Sequence, residues 1–192
     1  MNRIVSLLPS ATEIVAALGA QDRLVGRSHE CDYPAGVAAL PICTRPRLDS
    51  AASSRDIDQA VKSSLKDALA IYEVLTDKLR TLAPDIIVTQ DQCDVCAVAL
   101  ADVEAALAEW SGQDVSLVTL HPTDLDAALD DIRRVGAAIG CADKAETLIQ
   151  QMLARRSSIA EKAAQLETPT VACIEWTDPL MLPETGCPNS SH

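Results

Sequence analysis

Two short polar stretches carry most of the residues able to do chemistry. SHECDYP places His29 and Cys31 two apart, and TQDQCDVCAVAL places Cys93 and Cys96 one helical turn apart. Together they offer one imidazole and three thiols, a plausible zinc set, although a His-x-Cys half is not a usual zinc spacing. A Cys-x-x-Cys directly after a strand also has the position of a thiol–disulfide redox pair. Such a pair needs a lowered thiol pKa, and Asp91 and Asp94 would raise it. The zinc deaminase pattern fails, because Glu30 is adjacent to His29 and Gln92 precedes Cys93. Free cysteines also pack as small apolar residues, which suits Cys43, Cys141 and Cys173. It suits Cys93 and Cys96 less well, flanked as they are by Asp91, Gln92 and Asp94.

The elements that must position these residues alternate along the chain. RIVSLLP reads as a strand, and SATEIVAALG as a helix with Ser10 and Glu13 at capping-box spacing and Gly19 at its end. RLVGRS is a second strand and LPICT, from Leu40 to Thr44, a third. Between Asp56 and Leu82 the residues Ile57, Val61, Leu65, Ala68 and Leu69, then Val74, Leu75, Leu79 and Leu82, recur at helical spacing until Pro84. DIIVTQ, a helix around Ala101 to Trp110 and VSLVTL complete the alternation. This pattern predicts an α/β fold, a parallel sheet flanked by helices. After Pro122, Thr123 and Asp126 suggest a cap for a helix striped by Leu125, Leu129, Ile132, Val135 and Ile139 and closed by Gly140. A long helix from about Asp143 to Leu166 follows, broken at Thr168-Pro169. VACIEW, from Val171 to Trp176, then reads as one more buried strand, and LPETGCPNSSH has no pattern.

In a parallel α/β sheet, ligands bind outside the carboxyl ends of the strands. Four loops leave such ends: SATE, HECDYP, DQCDVC and HPT. They hold His29, Cys31, Cys93, Cys96 and His121, half of the 7 Cys and 3 His in the chain. They also carry Ser10, Thr12, Glu30, Asp91 and Gln92, and Trp176 ends the last strand, where an indole is either core or a ligand wall. Ser10, Thr12 and Glu13 read equally well as a helix cap, and His121 before Pro122 as a turn residue. There is no Gly-rich phosphate loop, G-x-S-x-G elbow or H-E-x-x-H motif.

Composition narrows the partners. A chain of 192 residues with 28 acidic and 16 basic side chains has a net charge of -12, which repels nucleic acid and anionic membrane surfaces. At 2% aromatic residues with no Phe, there is no platform for stacking bases. No apolar run approaches the roughly 20 residues that span a bilayer, and a strand begins too close to Met1 for a signal peptide. The chain as written is therefore expected in the cytoplasm with free thiols.

RIVSLLPSATEIVAALG, LVGRSHECDYP, the TRP turn, PDIIVTQDQCDVCAV, LDDIRRVGAAIG and VACIEWTDPLM resemble the cobalamin-type substrate-binding proteins of ABC transporters, within the Fe/B12 periplasmic-binding family. The resemblance covers residues 3 to about 181. It implies a non-enzymatic protein of two α/β lobes joined by one long backbone helix, with a corrinoid such as cobalamin, or an iron-siderophore or heme-like chelate, held between them. A transporter permease would be the partner, and the location periplasmic or cell-surface. The implied organisation is an N-terminal lobe over 1–122, a helical segment over 123–168 and the start of a truncated second lobe over 169–192. Ser10, Thr12, His29, Glu30, Cys31, Asp91, Gln92, Cys93, Cys96 and Trp176 would contact the ligand. The alternative is a cytoplasmic zinc or thiol protein using His29, Cys31, Cys93 and Cys96.

Overall fold

The computed structural model describes residues 2–48, 51–66, 71–91, 100–108 and 114–182, with side chains 64–66 left out. In chain order its elements are β1 (Ile4–Ser6), α1 (Pro9–Ala17), β2 (Leu24–Arg27), β3 (Thr44–Pro46), α2 (Ser54–Lys66), β4 (Tyr72–Val74), α3 (Thr76–Leu82), β5 (Ile86–Gln90), α4 (Leu100–Ala108), β6 (Ser116–Leu120), α5 (Leu125–Ala138), α6 (Ala142–Ala163), β7 (Trp176–Thr177) and β8 (Leu180–Met181). The central sheet is parallel throughout, in the order β2-β1-β5-β6, with Ile4 beside both Leu24 and Ile86, and Ile86 beside Ser116. The expected parallel sheet flanked by helices is present.

Alternation along the strands explains why they read as continuous apolar runs. Ile4, Ile86, Val88, Val118 and Leu120 point to one face, where Val15 and Leu18 at α1, Ile132 and Val135 of α5 and Ile149 of α6 cover them. Val5 and Ile87 point to the other, against Val74 of β4, Leu79 of α3, and Val103 and Ala106 of α4. With both faces covered, β1 buries every side chain and β5 all but Gln90, and period two disappears from these runs in the sequence. Each buried Val, Leu or Ile contributes roughly 1.5–3 kcal/mol.

Several local expectations are corrected. Helix α1 begins one residue before Ser10, with Leu8 as N-cap and no side-chain cap. Pro9 starts the helix because its missing N–H would have been unpartnered there and its φ is preset. Helix α5 is capped by Asp124, whose Oδ1 accepts from the Ala127 N–H at 2.8 Å, and not by Thr123. The region from Asp56 to Leu82 is not helical throughout, since β4 interrupts it and pairs antiparallel with β3, Thr44 beside Val74. Ala68 and Leu69 lie outside the described residues, as does Trp110. The expected strand over Leu40 to Thr44 shrinks to one parallel bridge between Ile42 and Arg27, and the chain then turns into β3.

VACIEW is not a buried strand. Val171 and Ile174 are 75% and 53% exposed, and only Trp176 and Thr177 pair, antiparallel with Leu180 and Met181. No neighbouring strand lies alongside Val171 to Ile174 among the described residues, so their backbone groups gain no ladder, and pairing starts only with the Glu175 N–H, which donates to the Met181 carbonyl at 3.0 Å. The hairpin beyond them docks on the start of α2. Trp176 Nε1 donates to the Ser54 carbonyl at 3.1 Å, and Arg55 pairs with Asp178 at 2.8 Å.

Helices α5 and α6 meet where Gly136 faces Ala145. A Cβ built on Gly136 would lie 2.6 Å from the Ala145 Cβ, inside any tolerable contact. Gly136→Ala is expected to lower stability by about 1–3 kcal/mol, the usual cost of overpacking, despite its better helix propensity. Urea denaturation of the two proteins measures it, and an unchanged or raised midpoint would contradict the contact.

Candidate functional site

The carboxyl edge of the sheet divides into two polar groups. At the β2 end, buried Arg27 shapes the loop that carries His29: its Nη1 donates to the Ser28 and His29 carbonyls at 2.9 and 3.3 Å, and its Nη2 to the Ala38 carbonyl at 2.9 Å. Three carbonyl contacts from a rigid fork fix this loop without a carboxylate partner among the described residues. His29 is then seated on Thr44 at the start of β3. Its main-chain N–H donates to Thr44 Oγ1 at 3.0 Å, and its Nδ1 lies 2.8 Å from the same oxygen. Thr44 Oγ1 is also 3.1 Å from Ser28 Oγ. Partial burial holds the His29 pKa below its ordinary value, with Glu30 acting the other way and Arg27 adding to the depression. Burial and Arg27 thus both favour the neutral imidazole.

Tyr72 of β4 closes this group on the outside. Its ring packs on His29 with centroids 5.3 Å apart, and its hydroxyl is 3.4 Å from Glu30 Oε1. On its other side Tyr72 borders a cavity of about 430 Å³, whose apolar walls are Ile57, Val61, Ile71, Trp176 and Met181. Trp176 thus stands as a wall, held by its indole N–H, at a point set by docking of the hairpin on α2.

Cys31 and Thr12 lie beneath this surface, fully buried. Thr12 Oγ1 is 2.8 Å from Ser6 Oγ and 3.1 Å from Cys31 Sγ. Burial raises the Cys31 thiol above its ordinary pKa, against smaller opposing effects from the Thr12 and Ser28 hydrogen bonds. A protonated, buried thiol is a poor nucleophile and a poor metal ligand. Cys43 is pushed further, to about 11, by burial. Ser10 is exposed on α1.

At the far end of the edge, Asp91 follows β5 and His121 follows β6, and His121 Nδ1 meets Asp91 Oδ1 at 2.6 Å. A carboxylate only accepts, so His121 carries a proton on Nδ1. Strands β2 and β6 are the outer two of four, roughly 14 Å apart at the usual strand spacing, too far for His29 and His121 to bind one ion. Gln92, Cys93 and Cys96 lie outside the described residues. Among the described residues no three His, Cys, Asp or Glu side chains converge to hold a metal ion.

The structure brings His29 and Glu30 together with Tyr72, places Cys31 and Thr12 under them, and joins Asp91 to His121. Arg27, Thr44 and Tyr72 were not among the candidates from sequence. A charged residue ending an apolar strand was a visible signal for Arg27. Thr44 meets His29 through the bridge between Ile42 and Arg27, and Tyr72 through the β3–β4 pairing, contacts between segments distant in sequence that leave no local mark.

This architecture occurs in known proteins. The model of the family described as "Periplasmic binding protein" matches residues 4–186. No curated protein matches the chain. Among solved structures, a possible iron-binding periplasmic solute-binding protein from Staphylococcus epidermidis superposes with a TM-score of 0.63 at 18% identity, covering 87% of this chain and 53% of that one. The periplasmic heme-binding protein RhuT from Roseiflexus sp. RS-1 gives 0.61 at 24% identity, with 88% and 52% covered. The periplasmic vitamin B12 binding protein BtuF of Vibrio cholerae gives 0.61 at 20%, with 93% and 57% covered. At these identities the likeness shows the fold alone, and the chain spans about half the length of each of these structures. With the family model running from the first strand past the last, the chain belongs to the periplasmic binding protein family.

Proposed function

We propose that the chain is the substrate-binding part of an ABC-type uptake system, without catalytic activity of its own. It takes a corrinoid such as cobalamin, or failing that another metal chelate of the heme or iron-siderophore kind, against the carboxyl edge of the sheet, and delivers it to a membrane permease. The observation that carries this reading is the continuity of surface from the His29–Glu30 pair across Tyr72 into the cavity walled by Trp176. A large, flat, partly apolar ligand with polar substituents needs such a surface, aromatic walls beside a few fixed polar groups. The family points to capture outside the cytoplasm. Residues 1–122 would form one lobe, 123–168 the helical backbone and 169–192 the start of a second, with Ser10, Asp91, Gln92, Cys93 and Cys96 on the rim of the cleft and Thr12 and Cys31 supporting it from below.

A visible-spectrum titration with cyanocobalamin, alongside metal analysis of the purified protein, tests this. Saturable spectral change is expected. Stoichiometric zinc without any corrinoid or heme binding would favour a metal or thiol protein instead. Tyr72→Ala and Trp176→Ala should each weaken binding about tenfold, the worth of one lost aromatic contact with its burial. Wild-type affinity in both variants would remove the cavity from the site.

The depressed His29 pKa has a further measurable consequence. Below pH 6.5 the unfolded chain takes up a proton at this residue more readily than the folded one, so stability falls as pH drops. Between pH 7 and pH 5 the wild type should lose more stability than His29→Gln, by thermal or urea denaturation. Parallel curves would show that burial does not disfavour the charged imidazole.

A further inference from the structure

The hydrogen bonds around Thr44 determine which nitrogen of His29 carries the proton. Thr44 is fully buried and Ser28 is 2% exposed, so every hydroxyl proton here needs an acceptor within the protein. A hydroxyl has one proton to donate and two lone pairs to accept with. The His29 main-chain N–H fills one lone pair of Thr44 Oγ1, and the Glu30 main-chain N–H, at 3.3 Å, fills one of Ser28 Oγ. The Thr44–Ser28 contact of 3.1 Å can hold its proton in either direction.

Two arrangements remain for a neutral imidazole. With the proton on Nδ1, His29 donates to Thr44, Thr44 must donate to Ser28, and both lone pairs of Ser28 are then taken. The Ser28 proton is left without an acceptor among the described residues. A buried donor in that condition costs about 1–3 kcal/mol. With the proton on Nε2, Ser28 donates to Thr44 and Thr44 donates to Nδ1 at 2.8 Å, and every proton has an acceptor. Nε2 has no protein partner among the described residues and is not a buried unpartnered atom, so its N–H faces the open side of the site.

We propose that His29 presents an Nε2–H donor that binds an acceptor oxygen on the periphery of the ligand, an amide carbonyl or a carboxylate, and does not coordinate the ligand's metal. Thr44 is the positioning residue that sets this tautomer, and Ser28 orients Thr44. The ligand half rests on the chelate-binding reading above, whereas the donor half stands on the unliganded protein. The two histidines of the edge are then unlike: His121, protonated on Nδ1 by its contact with Asp91, keeps a bare Nε2 when neutral, and His29 does not.

Long-range proton–nitrogen correlation spectra of histidine-labelled protein at pH 8, with His29→Gln for assignment, read the tautomer directly. The expected pattern for His29 is a pyrrole-type Nε2 and a pyridine-type Nδ1, kept in Thr44→Ser and lost in folded Thr44→Val. A pyrrole-type Nδ1 in the wild type, or the same pattern in Thr44→Val, overturns the assignment. Titrations with cyanocobalamin, whose periphery bears amides, and with hemin, whose periphery bears carboxylates, test the ligand half. For the probe that binds, His29→Ala should lose about tenfold in affinity, as for one hydrogen bond removed, and His29→Gln should recover most of it, because its amide N–H stands near Nε2. Equal weakness of the two variants, or metal-centred bands that change in His29→Ala, would overturn the proposal. Binding of neither probe defeats the chelate reading and with it the ligand half, and the spectra still decide the donor half.

Discussion

Burial of the central sheet on both faces governs what the rest of the molecule can do. Ile4 and Val5 are adjacent in sequence and fully buried in opposite cores, as are Ile87 and Val88. A strand covered in this way has no face left for a ligand, and polar chemistry is confined to its ends. Ser6, Thr89 and Arg27, the polar residues within these strands that are buried, all sit at or next to the carboxyl ends. The loops leaving those ends then inherit the site, which is why His29, Asp91 and His121 share one edge though 92 residues separate the first from the last.

A loop on such an edge still has to be held, and the two groups are held differently. Around His29 the fixing element is a buried guanidinium whose two Nη atoms reach three carbonyls, with Thr44 and Ser28 as an inner relay of hydroxyls. These contacts sit out of water, where a missing partner is expensive, so they specify one arrangement. The Asp91–His121 pair is different, being 39% and 54% exposed at its side chains. Ion pairs so exposed are worth about 0–1 kcal/mol and weaken with salt. Orientation at the β2 end is thus built in, whereas at the β6 end it depends on conditions.

How much of this was legible in the sequence follows from how local each interaction is. The four parallel strands were, since residues such as Ile86, Ile87 and Val88 must all be apolar to be buried on alternate faces. The stripe of Leu129, Ile132 and Val135 and the turn at Gly140, with φ of 70°, marked α5 and its end equally well. Caps were misplaced by one or two residues because Ser10 and Thr123 are as able to cap as the neighbours that set the boundary, Pro9 by its preset φ and Asp124 by its side-chain oxygen. VACIEW misled for a related reason: an apolar run is necessary for a buried strand but does not supply the neighbour that must cover it. In the site, His29 and Cys31 stood out by residue type, yet type could not distinguish a half-buried imidazole from a thiol sealed under Thr12.

The β3–β4 pair joins these two kinds of information. It is a minor antiparallel ladder beside the main sheet, three residues on each side, and no periodicity announces it. Yet Thr44 begins one strand and Tyr72 begins the other, so the ladder carries an aromatic ring to the place where the Thr44 hydroxyl meets His29. The exposed Arg45–Glu73 pair in the same ladder, at 2.8 Å, adds little energy at that exposure but aligns opposite residues. Thr44 itself is seated from the other side, where the Cys43 N–H donates to the Arg27 carbonyl at 2.8 Å beside the Ile42–Arg27 bridge, and register in the ladder then decides whether Tyr72 reaches the same face. The setting of one imidazole therefore rests on two pairings, the bridge to β2 that seats its hydroxyl partner and the short ladder, with 25 residues between its strands, that brings the aromatic ring onto it.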